Sequence, residues 1–192
     1  MSRKLTHFAC SLCAIFCYVF SSSFSVETDF DAMQYINTYK DIAIAEMHRT
    51  GIPASIKLAQ GMHESQYGKS RLATQANNHF GIKCKTYWTG GKFYHKDDDY
   101  KNGELINSCF RSYSTELDSY IDHSNFLVHS ERYASLFEHD RTEYEKWAYG
   151  LKTCGYATDL RYTKKLISKI EKYNLNQYDW SPNPFAQAPS NY

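Results

Sequence analysis

The chain has 192 residues, 42% hydrophobic and 22% charged, which suits one globular domain and excludes a disordered or low-complexity chain. Its 22 Lys plus Arg against 21 Asp plus Glu leave a formal charge of +1, so no basic field exists to hold a phosphate backbone, and nucleic-acid binding is not expected. Aromatic residues reach 16%, with 17 Tyr; tyrosine offers a flat apolar face plus a hydroxyl, which suits sugar rings as well as cores and interfaces.

Residues 1–25 read as a signal peptide. Arg3 and Lys4 form a basic start, Phe8 to Phe20 an apolar run of 13 residues, and Ser23-Phe24-Ser25 a small-residue cleavage site before Val26. That run is short for a bilayer, which needs about 20 residues, so a retained membrane anchor is the lesser alternative. A lipoprotein is disfavoured, because no Leu-small-small-Cys string precedes Cys10, Cys13 or Cys17. The chain is therefore expected to be exported to the periplasm or beyond. Without the leader, 22 basic residues fall to 20 against 21 acidic ones, a formal charge near −1. The remaining cysteines are Cys84, Cys109 and Cys154, and in an oxidising compartment two of them should pair. A Cys-His nucleophile competes with this reading, but no local signature supports it.

In chain order, Asp29 and Asp31 can cap a helix to about Arg49, with Met33, Ile36, Ala43, Ile44 and Met47 as its apolar stripe and Gly51 as its stop. Ile52-Pro53 opens a second helix to about Gln66, and Ser70 caps a short third one before Asn77-Asn78. Two β-leaning runs follow, His79 to Trp88 and Leu105 to Tyr113, with the polar Lys96-Asp97-Asp98-Asp99 stretch between them. Ser114 is expected to cap a helix with Leu117, Tyr120, Ile121, Leu127 and Val128 on one face. Thr142-Glu143-Tyr144-Glu145 reads as a capping box ahead of Trp147, Ala148 and Leu151. Asp159 starts a last helix with Leu166, Ile167, Ile170 and Tyr173. Three of the four prolines lie in 181–192, so residues 179–192 are expected to form a loose tail after a domain at 26–178. The fold class is α+β: a helical body with one β-hairpin lobe.

The chemically informative segment is Ala59-Gln60-Gly61-Met62-His63-Glu64-Ser65-Gln66-Tyr67-Gly68. Glu64 follows Gln60 and Ile56 by one and two turns, on a face that looks inward, and it falls in a last turn where the helix dipole disfavours negative charge. Burial and dipole together would raise its pKa, as a general acid near neutral pH requires; a surface Glu at a frayed end is the competing reading. His63-Glu64 does not extend to a zinc motif, since position 67 is Tyr, and His79 and His95 suggest no cluster; neither metal nor cofactor is expected.

This run, followed by Asn77-Asn78-His79-Phe80-Gly81-Ile82-Lys83, resembles the signature of the peptidoglycan glucosaminidases of glycoside hydrolase family 73, Q-A-x-x-E-S-G-W-G then N-L-F-G-I-K. Gln66-Tyr67 replaces Gly-Trp, and His79 replaces Leu. Further matches are Trp88-Thr89-Gly90, Cys109-Phe110-Arg111-Ser112-Tyr113, and Gly155-Tyr156-Ala157-Thr158-Asp159 with Tyr162 and Lys165-Leu166, so the resemblance spans about residues 31–175. It implies a lysozyme-like fold with a cleft between the helical body and the β-lobe. Glu64 would be the catalytic acid, Asp99 a second acid in competition with Asp97 and Asp98, and Tyr156 a cleft tyrosine. Tyr67, Asn78, Phe80, Trp88 and Tyr100 would bind substrate. The implied activity is that of an endo-β-N-acetylglucosaminidase acting, as a monomer, on peptidoglycan glycan strands. A muramidase or lytic transglycosylase on the same fold, or a silent wall-binding module, is the alternative. Finally, Cys84 at the end of one β-leaning run and Cys109 in the returning one would lie side by side in a hairpin, which points to a Cys84–Cys109 bridge and a free Cys154; a bridge from either to Cys154 competes.

Overall fold

The structure, a computed structural model, describes residues 29–101 and 103–186, and for 98–101 the backbone alone. The proposed signal peptide lies outside the described residues. Contacts divide the chain after Gln34: in the first unit the described residues are 29–34, the opening turns of helix α1 (29–50), and the second unit runs from Tyr35 onward. None of the described helices is long and apolar enough to cross a membrane.

The second unit is organised around helix α2 (Ala54–Glu64). Every residue from Ala54 to Met62 is buried, so this helix is enclosed on all sides rather than along one stripe. Ile56, Leu58 and Met62 are fully buried, each contributing about 1.5–3 kcal/mol relative to exposure. Gly61 admits the closest neighbour: a Cβ there would stand 2.3 Å from the Tyr35 hydroxyl. That hydroxyl joins the Tyr120 hydroxyl at 2.9 Å and His79 Nδ1 at 3.0 Å. The start of α2 is capped from far along the chain, where Asp179 accepts from Ser55 N at 2.8 Å and from Ser55 Oγ at 2.6 Å. Asp179 is fully buried and belongs to a 3-10 helix (Leu175–Trp180) that packs on α2, so the packed body passes through the expected boundary at 178.

After α2 come α3 (Arg71–Ala76), capped as expected by Ser70, the hairpin strands β1 (Gly91–Lys101) and β2 (Glu104–Ser112), and α4 (Glu116–Val128). A 3-10 helix (Glu131–Glu138), α5 (Tyr144–Thr153) and α6 (Tyr162–Lys172) complete the body, with α6 packed on both α2 and α5. The α+β architecture with one hairpin is as the sequence indicates, but three details differ. The first strand is Gly91–Lys101, not 79–88. The Lys96–Asp99 stretch is inside it: three residues, Asp97–Asp99, lie opposite Ile106 between the pairs Lys96↔Asn107 and Tyr100↔Leu105. This bulge takes up the acidic run without forcing its members into a flat ladder. The capping box belongs to α4, where Thr115 and Asp118 cap reciprocally; Glu143 precedes α5 without a side-chain cap.

The buried face of α4 is also rotated from expectation. Ser119, Tyr120, His123, Ser124 and Leu127 are buried, whereas Leu117 and Val128 are 46% and 42% exposed. Polar side chains turn inward because a buried cation, Lys57, needs acceptors.

The Cys84–Cys109 bridge is present with Cα atoms 5.3 Å apart, and Cys154 is free. It does not join the two hairpin strands. The segment Ile82–Cys84 runs along the outer edge of β2, with Cys84 N donating to Cys109 O at 2.8 Å and Arg111 N to Ile82 O at 2.9 Å, and the disulfide locks this third, irregular strand to the sheet. Closing a loop of 25 residues stabilises by about 3 kcal/mol. A Cys84→Ser/Cys109→Ser variant should therefore lose about that amount in denaturant unfolding, and Cys154→Ser under 1 kcal/mol; equal losses would overturn this account.

Candidate active site

Glu64 is the last residue of α2, and the turn after it is built to stop the helix there. Ser65 Oγ donates to Gly61 O at 2.5 Å and accepts from Gly68 N at 2.7 Å. Gln66, Tyr67 and Gly68 then take positive φ in succession, a conformation that costs about 1 kcal/mol or more at each of the two non-glycine positions. The chain leaves α2 at once, and Glu64 is left on the rim of a groove of about 410 Å³.

Burial raises the Glu64 carboxyl to about 7, against the lowering effects of Tyr162, Lys165 and Lys169. Tyr162 donates its hydroxyl proton to Glu64 Oε1 at 2.9 Å and accepts from Gln60 Nε2 at 3.0 Å. Gln60 is fully buried one turn before Glu64. Because the Tyr162 oxygen takes the Gln60 proton, its own proton is directed to Oε1, so the acid proton of Glu64 belongs on Oε2. Neighbouring His63 is pulled down to about 4, chiefly by burial and then by Lys169, and is neutral near pH 7. Among the described residues no three His, Cys, Asp or Glu side chains are grouped to hold a metal ion.

Across the groove stands the β-lobe. Asp97, the first residue of the bulge, lines the same groove as Glu64 and pairs with Lys83 at 3.0 Å. The side chains of Asp99 and Tyr100, favoured on sequence, lie outside the described residues. Tyr156 lines the groove too, its ring stacked on Tyr162 with centroids 5.7 Å apart. The preceding turn is held by Arg132, which donates to the carbonyls of Cys154 and Gly155. The Tyr156 hydroxyl meets His123 Nε2 at 3.1 Å, and His123 Nδ1 meets Lys57 Nζ at 3.0 Å. Phe80 forms the floor, 3% exposed and stacked on His123 at 4.0 Å.

Lys57 is fully buried on α2, one turn before Gln60 and two before Glu64. Its Nζ also donates to Tyr120 O and Ser124 Oγ, both at 2.8 Å. Desolvation pulls the ammonium down to about 7, opposed mainly by Glu46. His123 is held well below its usual pKa by burial and then by Lys57, so its ring is neutral.

The structure occupies two of the expected substrate residues otherwise, Asn78 and Trp88. Asn78 is 1% exposed, and its amide is occupied: Nδ2 donates to Ile82 O and Arg111 O, and Oδ1 accepts from Ile82 N. It braces the groove floor against β2. Trp88 donates from Nε1 to Gly91 O, and its ring packs under the Arg111 guanidinium at 4.5 Å rather than lining the Glu64 groove. Tyr67 lies at the strained turn, with Lys169 Nζ 5.8 Å from its ring centre. Conversely, Lys57, Gln60, His123 and Tyr162 join the site without having been assigned to it. A visible signal for one of them was a lysine amid the apolar run Ile56-Lys57-Leu58-Ala59.

A second groove of about 640 Å³ shares Lys85, Phe126, Arg132 and Tyr133 with the first, so the depression continues beyond the Glu64 site. It passes beside Arg111, which is buried and holds Asp122 through Nη1, 2.8 Å from both carboxylate oxygens. This ion pair ties the hairpin to α4.

The chain is similar in sequence and in fold to known proteins. It is 36% identical over 132 residues to the Exo-glucosaminidase LytG of Bacillus subtilis and 32% identical over 130 residues to the Peptidoglycan hydrolase FlgJ of Salmonella typhimurium. Each alignment covers 65% of this chain, but only 45% and 40% of those proteins, so the chain spans less than half of either. The catalytic domain of the autolysin Auto from Listeria monocytogenes superposes with a TM-score of 0.67 at 27% identity, covering 77% of this chain and 87% of that one. The glycoside hydrolase domain of the Salmonella protein gives 0.61 at 26% identity, covering 74% and 88%. The helical body with its β-hairpin is thus the lysozyme-like fold that the motifs imply. Residues 40–175 match the family described as Mannosyl-glycoprotein endo-beta-N-acetylglucosaminidase, and the chain belongs to that family.

Proposed function

We propose that this protein is an exported glycoside hydrolase that cuts the glycan strands of peptidoglycan as an endo-β-N-acetylglucosaminidase, with Glu64 as its general acid. One observation carries the reading: a half-buried carboxyl at a helix end, raised to about 7, with Tyr162 on Oε1 and its remaining oxygen available to the groove. Cleavage of a glycosidic bond requires a proton on the leaving oxygen and stabilisation of a positive, oxocarbenium-like sugar centre, and water then supplies the new hydroxyl. Glu64 Oε2 delivers the proton. The acidic bulge of β1 supplies negative charge from the opposite wall, with Asp97 the member seen in the groove. Tyr156 and Phe80 give the groove aromatic surface for sugar rings. The relatives' names, exo-glucosaminidase and peptidoglycan hydrolase, supply the substrate class. Residues 1–25, with the form of a signal peptide, and the Cys84–Cys109 bridge are consistent with action in the cell envelope.

Mass spectrometry of fragments released from purified sacculi tests the bond. Reducing N-acetylglucosamine ends are expected; anhydro-muramic ends would instead mean a lytic transglycosylase. Glu64→Gln should keep the fold and wall binding but lower turnover by about a hundredfold or more, and near wild-type turnover would remove Glu64 from the mechanism.

The same carboxyl predicts two pH effects. Activity should fall as pH rises through about 7, where the acid proton is lost. Stability should also fall over this range, because a folded pKa above the unfolded value of 4.5 favours the folded state at low pH, and that advantage is lost by the time pH passes about 7. Thermal melts of Glu64→Gln should show a shallower decline between pH 5 and 8 than the wild type.

For the second acid, Asp97→Asn and Asp99→Asn are compared by turnover. The larger loss identifies the carboxylate that faces the sugar centre. Equal small losses would mean that the bulge is only a polar rim.

A further inference from the structure

The catalytic groove is served by two hydrogen-bond lines that start on the same buried stripe of α2. One, Gln60 to Tyr162 to Glu64, belongs to the proposed acid. The other, Lys57 to His123 to Tyr156, ends in the groove and has no part in the chemistry described so far. Its members are poor candidates for mere packing: Lys57 and His123 are both fully buried, where an unneeded charge or imidazole costs several kcal/mol.

The direction of this line follows from counting protons. Around Lys57 Nζ stand the Tyr120 carbonyl, which can only accept, and Ser124 Oγ, whose own proton goes to Tyr120 O at 3.1 Å and which therefore also accepts. The third neighbour is His123 Nδ1. An ammonium has three protons for these three acceptors. The cationic form is favoured further by the faces of Phe80 and Tyr120, 4.7 and 5.3 Å from Nζ, and by the nearby charge of Glu46. His123 Nδ1 must then be bare, and the ring proton must sit on Nε2. That proton is given to the Tyr156 oxygen. Tyr156 has one proton of its own and, among the described residues, no other hydrogen-bond partner for its hydroxyl.

We propose that Lys57 and His123 are positioning residues that make the Tyr156 hydroxyl an obligatory hydrogen-bond donor into the groove beside Glu64, aimed at an acceptor oxygen of the bound sugar. The inference rests on the hydrolase reading for its substrate, but not for the direction of the line. With Lys57 absent, His123 can adopt the other tautomer, Nε2 becomes an acceptor, and Tyr156 turns its proton away from substrate into the protein. A donor already aimed at the sugar oxygen that accepts it needs no reorganisation when the bond breaks, which is where preorganised groups contribute most to rate.

The direct test is nitrogen-15 NMR of the histidine rings in the full wild-type chain at pH 6. His123 should carry its proton on Nε2, with Nδ1 bare; the opposite tautomer overturns the proposal whatever the activity. The second arm is a cycle of Lys57→Met and Tyr156→Phe, with kcat and KM measured on purified wall glycan. Lys57→Met removes the donor from Tyr120 O, His123 Nδ1 and Ser124 Oγ, so its melting temperature should fall, and all variants are assayed well below their melts. Its kcat should fall about tenfold with KM within about twofold, and the double variant should be no slower than Tyr156→Phe alone. An equal further loss in the Tyr156→Phe background would mean that Lys57 acts through the general fold, and the proposal fails. If Lys57→Met does not fold, the tautomer decides alone. If the wild type cuts no wall glycan, the hydrolase reading fails while the tautomer still decides the direction of the line.

Discussion

The full enclosure of α2 is the constraint on which the rest of this structure depends. A helix buried on every side has no solvent face for polar residues, yet this one carries Lys57, Gln60 and, at its end, Glu64. Each must be satisfied from a neighbouring element. Lys57 draws His123 and Ser124 of α4 inward, Gln60 draws Tyr162 of α6, and Ser55 draws Asp179 from the final 3-10 turn. Much of the packing of the body can be understood as the set of partners that this helix requires.

The position of Glu64 follows from the same constraint. Residues 54–62 of α2 are sealed, His63 and Glu64 are partly exposed, and beyond the buried Ser65 the chain turns to solvent at Gln66; position 64 is where the helix ends. There the carboxyl is desolvated enough to hold its proton near neutral pH but remains open to a groove. The strained turn at Gln66 and Tyr67 ends the helix at this point.

The hairpin is held by connections at its base. The Arg111–Asp122 pair ties β2 to α4, the Cys84–Cys109 bridge ties the 82–84 segment to β2, and Asn78 uses its whole amide to join the same two segments. These contacts surround the base of the lobe and leave its outer half, with the acidic bulge, reaching over the groove. A disulfide expected from simple hairpin geometry therefore exists for a different reason: Cys84 precedes the hairpin, in an edge segment whose β character is confined to a single bridge. Gly90 precedes β1, which starts at Gly91, and there Trp88 folds back so closely that a Cβ on Gly90 would stand 2.4 Å from its ring.

Local pattern alone determined the helices, the place of Glu64 in the last turn of its helix, and the presence of one hairpin, because each depends on spacing or turn chemistry over a short stretch of chain. Strand register and the α4 cap were misjudged at the same range, since several Gly and Ser/Thr signals competed within a few positions. The rest was decided only by the tertiary structure. Nothing adjacent to Lys57 reveals that its partners lie 66 and 67 residues away, or that Tyr162, 98 residues from Glu64, donates to its carboxyl. The inward face of α4 was misread for the same reason: its most apolar residues are not its most buried ones, because a cation on another helix needs His123 and Ser124 more than the core needs Leu117 or Val128. Apolar burial is additive and can be read from periodicity, whereas a buried charge is settled by whichever distant groups can answer it, and that pairing exists only once the chain has folded.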